Sequence, residues 1–312
     1  MASLISDYAA AARPGIDLAL KTYGKRQGSI YPKCFDKITT TLEYFRSVEE
    51  QDMGYLDQVN ENAPHPEASY TLQNSKDHYW NRFKKKMVIS RDKIKSDQTG
   101  VFSEANVGRK LVDSGMKTIE AIHAGRLTDG FGTGYLLGDG KPLFDAPTLG
   151  QGGHPLDSGI QHNRGYYNGS TYAEVSFSET GVENAIKNMM QMKSHKGLPS
   201  PYSGPFDIIV SPGNMFAARK LIATLKNLGT NYNDANVVKD LIGNVIENPF
   251  LIGTSWFLHD TSVENPLKTL MFEDFDKYAK ANYDEQNVEI GISVKFAAIA
   301  AGWRGWWGTY GA

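Results

Sequence analysis

The sequence has a single cysteine, Cys34, in 312 residues. That excludes an intramolecular disulfide framework and any zinc site built from cysteine alone. No apolar run approaches the roughly 20 residues that a membrane-spanning helix needs. The most apolar stretch, Val294 to Ala301, is broken by Lys295 and reads as a buried strand. Excess charge is missing too: 33 basic side chains stand against 35 acidic ones, so no global field argues for nucleic-acid binding. The opening residues, Met1 to Tyr8, lack the basic-then-apolar layout of a secretory signal. These absences predict a soluble protein made in the cytoplasm, with no membrane partner. What is present is ordinary for a globular chain, 40% hydrophobic and 22% charged, and long enough for one large core or two smaller ones. No internal repeat is visible.

Local pattern then divides the chain. Residues 1–44 combine a short Ala-rich helix, Leu4 to Ala12, with a Gly- and Pro-punctuated extended segment from Arg13 to Pro32. So short a helix is not stable alone, so this region reads as an arm whose end docks on something else. Residues 45–90 are poor in aliphatic side chains and rich in charge, around a turn-prone run from Asn60 to Pro66. The flanks, Phe45–Val59 and Ser69–Ile89, predict a long ribbon with little core of its own. Its second limb carries Trp80, Arg82, Phe83, Lys84, Lys85 and Lys86, followed by Arg91, Lys93 and Lys95. Cations interleaved with aromatics suit base stacking, a solvated edge that resists pairing, or a protein interface. A ribbon without a core favours the protein interface.

Residues 101–126 give the strongest helical signal: Phe102, Ala105, Val112, Met116, Ile119 and Ile122 fall on one face. At 1.5 Å per residue this is a beam of roughly 40 Å, closing at Gly125. Further on, Val182, Ala185, Ile186 and Met189 mark a helix that Ser178 caps. Ile208–Val210 reads as a short buried strand, and Phe216, Leu221, Leu225 and Leu228 as a third helix before an Asn-rich loop, Asn227 to Asn236. Ser255–Leu258 and Lys268–Phe272 are predicted strands. Residues 288–296 alternate Val, Ile, Ile, Val and Phe against Glu, Gly, Ser and Lys, the pattern of a half-buried strand. The tail from Trp303 to Tyr310 is dense in aromatics that need a surface to cover them.

Catalytic constellations fail one by one. Gly130-Phe131-Gly132-Thr133-Gly134 lacks the third glycine of a dinucleotide loop and follows a helix rather than a strand. Gly134 to Lys141 is one residue too long for a phosphate loop, and Pro142 stands where a magnesium-binding hydroxyl is required. His154 and His162, near Asp145 and Asp157, show no metal-ligand spacing. No Gly-x-Ser-x-Gly elbow occurs, and Asp207, at the start of a strand, has no identifiable partner. The sequence therefore predicts no catalytic residue, no cofactor and no metal, and the glycines read as a connector.

The order of the motifs nevertheless resembles a known family. Asp139-Gly140-Lys141-Pro142-Leu143-Phe144 with His154-Pro155, then Ser178 and its helix to Met192, then Gly197-Leu198-Pro199, resemble successive pieces of tailed-bacteriophage major capsid proteins. Asp207 to Pro212 leads into a helix with Ala217, Ala218 and Leu221, and Asn248-Pro249-Phe250-Leu251 with Trp256-Phe257-Leu258 resemble the family's next strand pair. Arg304-Gly305-Trp306 sits where its last strand ends. The match spans about residues 85–312 and is closest to the Mu-like major head subunit group.

The resemblance implies an α+β, HK97-like capsid fold. Residues 1–44 would be the N-terminal arm and 45–90 the extended loop lying across a neighbouring subunit. Residues 91–155 and 288–312 would form the peripheral domain around the spine helix at 101–126, and 156–287 the axial domain. The implied function is self-assembly into hexamers and pentamers of an icosahedral shell that encloses phage double-stranded DNA in the virion. Implied partners are further copies of the chain, a separate scaffolding protein, a portal, decoration or cement proteins, and packaged DNA held without sequence specificity. Trp80, Arg82, Lys84, Lys85, Lys86, Arg109 and Lys110 are the expected inter-subunit contacts. An encapsulin-like compartment shell shares this fold, and a soluble α/β enzyme using the Gly-rich loop is the remaining alternative.

Overall fold

The computed structural model describes residues 3–26, 28–50, 52–60, 64–67, 72–146, 152–157, 159–167, 172–200, 202–223 and 238–311. The turn at 61–63, the start of the expected second limb at 69–71, Leu225, Leu228 and the Asn227–Asn236 loop lie outside these residues. In chain order the elements are helix α1 (Ser3–Arg26), strands β1 (Asp36–Thr39), β2 (Tyr44–Glu50), β3 (Leu72–Tyr79) and β4 (Asn81–Ser90), then helices α2 (Arg91–Ser96) and α3 (Glu104–Thr128). Four short strands follow: β5 (His154–Leu156), β6 (Gly159–Gln161), β7 (Tyr166–Tyr167) and β8 (Tyr172–Ala173). After them come α4 (Glu179–Met190), β9 (Phe206–Val210), α5 (Met215–Ala223), α6 (Val238–Leu241) and β10 (Ile242–Glu247). The chain closes with β11 (Trp256–Asp260), β12 (Leu267–Asn282), β13 (Asn287–Ala300) and β14 (Trp306–Thr309).

These elements gather into two compact units, each made of three chain segments. The first holds Met1–Phe45, His78–His123 and Thr269–Ala298; the second holds Arg46–Asp77, Ala124–Lys268 and Ile299–Ala312. The expected boundaries differ from this division. Most of β12, expected with residues 156–287, pairs instead with β13 in the first unit, and β14, expected beside the long helix, lies in the sheet of the second.

The first unit is built on a four-stranded sheet ordered β1-β12-β13-β4. Its apolar face, with Ile89, Val288, Ile290 and Ile292, packs on Val107, Leu111 and Val112 of α3 and on Tyr8, Ala12 and Ile16 of α1. Helix α1 is the largest departure from expectation, because it runs through Pro14 for 24 residues. A proline inside a helix costs about 3 kcal/mol. Burial of Tyr8, Ala9, Ala12 and Ile16 on one side offsets that cost. Glycines let the two helices close: a Cβ on Gly108 would lie 3.0 Å from the Ile16 nitrogen, and one on Gly15 would lie 3.2 Å from the Glu104 carbonyl. Tertiary packing has overridden local propensity here.

Helix α3 starts and ends slightly later than the sequence pattern predicts, and Gly125 lies inside it because Ala124 and Leu127 are still buried. Ala105, expected to face inward, is exposed, while Val107 and Leu111 take the core positions. Two-thirds of the way along, the buried carboxylate of Glu120 accepts hydrogen bonds from the backbone nitrogens of Ile30 (2.8 Å) and Tyr31 (3.0 Å). Burial pushes the Glu120 carboxyl above the ordinary carboxylate range, against the lowering effect of those two donors.

In the second unit a four-stranded sheet runs β10-β9-β11-β14, with β10 parallel to β9 and β11 antiparallel to both β9 and β14. Every residue of β9, β11 and β14 is buried. Helix α4 begins as expected, with the Ser178 hydroxyl accepting from the Gly181 nitrogen at 3.1 Å. The aromatic tail is covered within its own unit: Trp307 packs on Trp256 at 4.7 Å and Trp306 on His259 at 4.6 Å between ring centres. Two expectations fail. Asn248 to Leu251 forms a turn, since the paired strand lies upstream at β10, and Phe216 of α5 is exposed while Ala218 and Leu221 are buried.

Candidate assembly surfaces

The seven residues singled out from sequence do not share one element. The ribbon is β2 paired with β3 alone; it stops at Trp80, and the chain then enters the sheet of the first unit as β4. Cross-strand apolar pairs explain the break. In the antiparallel register, Phe83 faces Val294, Met87 faces Ile290 and Ile89 faces Val288, which a free ribbon limb cannot supply.

Arg82, Lys84 and Lys86 thus belong to one face of that sheet. They stand opposite Lys295, Ser293 and Gly291. Arg82 reaches Glu273 at 2.8 Å, and Lys86 reaches Glu289 at 3.4 Å. Lys85 bonds the Ser114 hydroxyl of α3 at 3.0 Å. Trp80 is half-buried with its ring 5.2 Å from that of Phe272, whose face carries the Lys295 ammonium at 3.8 Å. Arg109 and Lys110 are exposed on α3, and Arg109 donates to Asn106 Oδ1 at 2.9 Å. Exposed pairs of this kind contribute under about 1 kcal/mol each, so these contacts hold the charges only weakly.

Sequence reasoning missed a second set of residues, at the base and crown of the ribbon. Glu49 on β2 is ion-paired with Arg304 and accepts from Asn74 Nδ2 of β3 at 2.8 Å. Burial lowers the Arg304 guanidinium to about 10. Lys76 of β3 donates to the Leu136 carbonyl and lies 3.8 Å over the Tyr135 ring, which Arg126 also approaches at 3.5 Å. Burial, then the neighbouring Arg126, lowers the Lys76 pKa. Gly138 is essential to this seat, because a Cβ there would fall 1.8 Å from the Asn74 carbonyl oxygen. Beyond the base, Met53, Tyr55, Leu56 and Val59 are all exposed, Leu56 completely. Four apolar side chains on a segment without a core form a sticky crown. The run Tyr55-Leu56 inside a charged region was the available signal.

The Gly-rich stretch holds internal struts. The Leu137 nitrogen donates to the Lys141 carbonyl at 2.7 Å, and Asp139 accepts from the Lys141 nitrogen at 2.9 Å, closing a tight turn. The other Asp139 oxygen meets His154 Nδ1 at 2.7 Å; His154 is fully buried and stacks on Trp303 at 4.2 Å. Asp145 accepts from the Gly153 nitrogen at 2.9 Å. Burial lowers the His162 pKa more than Asp145 raises it. Asp207 accepts from the backbone and side-chain nitrogens of Asn244 at 2.8 and 2.9 Å. Among the described residues no cluster of His, Cys, Asp and Glu is placed to hold a metal ion, and no helix is long and apolar enough to cross a membrane.

Known structures share this fold. The capsid of the native GTA particle is 10% identical with a TM-score of 0.57, covering 92% of this chain and 91% of its own. The mature capsid of bacteriophage PhiM1 is 9% identical with a TM-score of 0.56, covering 90% and 86%. The virus-like particle from Pyrococcus furiosus is 13% identical with a TM-score of 0.52, covering 95% and 98%. At such identities the likeness establishes the fold, which is the α+β, HK97-like capsid fold. No curated protein matches the chain. The family model described as phage capsid protein matches residues 79–310, and the chain accordingly belongs to the phage capsid protein family.

Proposed function

We propose that this capsid protein is the major head subunit of a tailed phage, related to the Mu-like group, and that it closes an icosahedral shell of hexamers and pentamers around double-stranded DNA. It does structural work and carries no catalysis. The observation that carries this reading is the family match over residues 79–310. The exposed crown Met53–Val59 and the cationic face of Arg82, Lys84 and Lys86 support it as surfaces that a lone subunit leaves uncovered. Many copies meeting through moderate interfaces add their contributions, and closed symmetry supplies the geometry. The first unit would serve as the peripheral domain, the sheet of the second as the axial domain, and the ribbon as the loop across a neighbour. Trp80, Arg82, Lys84, Lys85, Lys86, Arg109 and Lys110 would contribute contacts between subunits. Subunits made in the host cytoplasm would assemble with a separate scaffolding protein, a portal and decoration proteins.

Negative-stain microscopy of the expressed chain tests the reading, with shells or capsomers expected and a small uniform oligomer against it. Reversing Lys84, Lys85 and Lys86 to Glu should block assembly while circular dichroism of the subunit stays native. Unchanged shells from that variant would remove these lysines from the interface. Shells that hold protein cargo and no DNA in infected cells would favour a compartment over a virion.

A further inference from the structure

Between the sheet of the first unit and α3 lies a cavity of about 160 Å³. Phe83 of β4, Phe275 of β12, and Ile292 and Val294 of β13 form its apolar walls; Ser114, Gly115 and Thr118 of α3 form the opposite side. The space follows from what α3 presents there. Gly115 has no side chain, and Phe275 and Ile292 pack against its bare backbone. A Cβ on Gly115 would lie 2.5 Å from Phe275 Cε1 and 3.1 Å from Ile292 Cδ1. The Phe83 ring packs instead on Phe296, 5.1 Å away between ring centres. Ser114 and Thr118, one helical turn apart on the same face, are too short to fill what is left. Protein interiors hold few voids larger than a water molecule, so an opening of this size is an exception. An apolar cavity of about 150 Å³ takes up one benzene ring.

The two hydroxyls on the α3 side are not equivalent. Ser114 Oγ already accepts from Lys85 at 3.0 Å. Thr118 Oγ1 gives its proton to the Ser114 carbonyl at 2.8 Å, which leaves the oxygen able to accept. A ligand that brings one hydrogen-bond donor satisfies this wall. From this geometry we propose that the cavity binds a small free phenol, its ring between Phe83, Phe275, Ile292 and Val294 and its hydroxyl donating to Thr118. The volume matches the ring alone, without the backbone that a tyrosine side chain would bring. Lys84 and Lys85, both exposed, stand at the rim and take no part in recognition. The site lies inside one subunit, so it does not depend on how subunits meet.

The test titrates the full chain with phenol, benzene and N-acetyltyrosinamide, read by calorimetry and by the melting temperature. Phenol should bind one to one, more tightly than benzene, and raise the melting temperature as ligand is added. Thr118→Val keeps the shape and removes the acceptor. It should weaken phenol about five-fold, the worth of one hydrogen bond, and leave benzene unchanged. Val294→Leu extends a wall into the cavity and should weaken both ligands. Thr118 is only half-buried, so its variant should melt close to the parent and decides the matter even if the Val294 variant fails to fold. No saturable binding of phenol, or equal affinity for phenol and benzene in the parent, overturns the site. Binding of N-acetyltyrosinamide as tight as that of phenol makes a protein side chain the occupant and overturns the free ligand.

Discussion

The carboxylate of Glu174 holds the C-terminal strand in place, and its removal offers a sharp energetic test. Oε1 accepts from Arg164 at 2.8 and 2.5 Å and from the Tyr172 hydroxyl at 2.6 Å. Oε2 accepts from the Thr309 hydroxyl at 2.5 Å and the Tyr310 nitrogen at 3.0 Å. The Arg164 guanidinium lies 5.0 Å from the rings of both Phe131 and Tyr310, so little water replaces a lost partner. Side-chain exposure is only 22% for Glu174 and 18% for Arg164. Breaking a buried pair from one side costs about 3–5 kcal/mol; the residual exposure trims that. Glu174→Ala should therefore destabilise by about 3 kcal/mol, read by urea unfolding of the full chain followed through tryptophan fluorescence. Adding Arg164→Met to Glu174→Ala should cost less than the two singles summed. Burial alone would raise the Glu174 pKa, but the Thr309, Tyr172 and Arg164 hydrogen bonds outweigh it and the net shift is downward from the ordinary 4.5. A lowered folded value means the contribution is present above the ordinary pKa and is lost as pH falls through the folded one. Glu174→Gln should erase that acid-side slope. A loss under about 1 kcal/mol for Glu174→Ala, or strict additivity in the cycle, would refute the account of this hub.

Other perturbations probe the remaining joints. Glu120→Ala leaves two buried backbone donors unpaired and should cost about 2–4 kcal/mol by the same unfolding assay. Because burial raises the Glu120 pKa, its favourable contribution is full below the ordinary value and declines as pH rises through the folded one; Glu120→Gln should flatten that decline. Gly138→Ala drives a Cβ into the Asn74 carbonyl, so the ribbon base must shift, and limited proteolysis should cut between Glu50 and Leu72 faster than in the parent. An unchanged cleavage rate would show that the seat at Gly138 does not hold the ribbon.

The parts legible in the sequence are those whose period is strong and local. Ser178 and its helix, β9, β11 and β13 stand where alternation or a three-to-four spacing placed them, as does the body of α3. The rest was decided by partners far away in the chain. Pro14 argues for a break that the burial of Tyr8, Ala12 and Ile16 and the close approach of Gly15 and Gly108 overrule. The second half of β12, Glu273 to Asn282, is so charged that its alternation of Phe275, Ala279 and Ala281 toward the core is hard to see without the sheet. Lys84, Lys85 and Lys86 look like a ribbon edge until Val288, Ile290 and Val294 claim the apolar side chains on either side of them. At the ribbon base, Glu49 with Arg304 and Lys76 with Leu136 join residues whose proximity no spacing rule encodes.

The three-segment construction of each unit has a consequence for synthesis. Ser90 pairs with Asn287 and Asn81 with Phe296, so β4 emerges about 200 residues before its partner strand. At about 5–20 residues per second that delay is about 10 to 40 seconds. During it the sheet of the first unit cannot close, and α1 and α3 have no finished surface to cover. Pairings so distant in sequence are slow to form and expose apolar edges while they wait. A nascent chain therefore has no completed face of Arg82, Lys84 and Lys86 until β13 has been made.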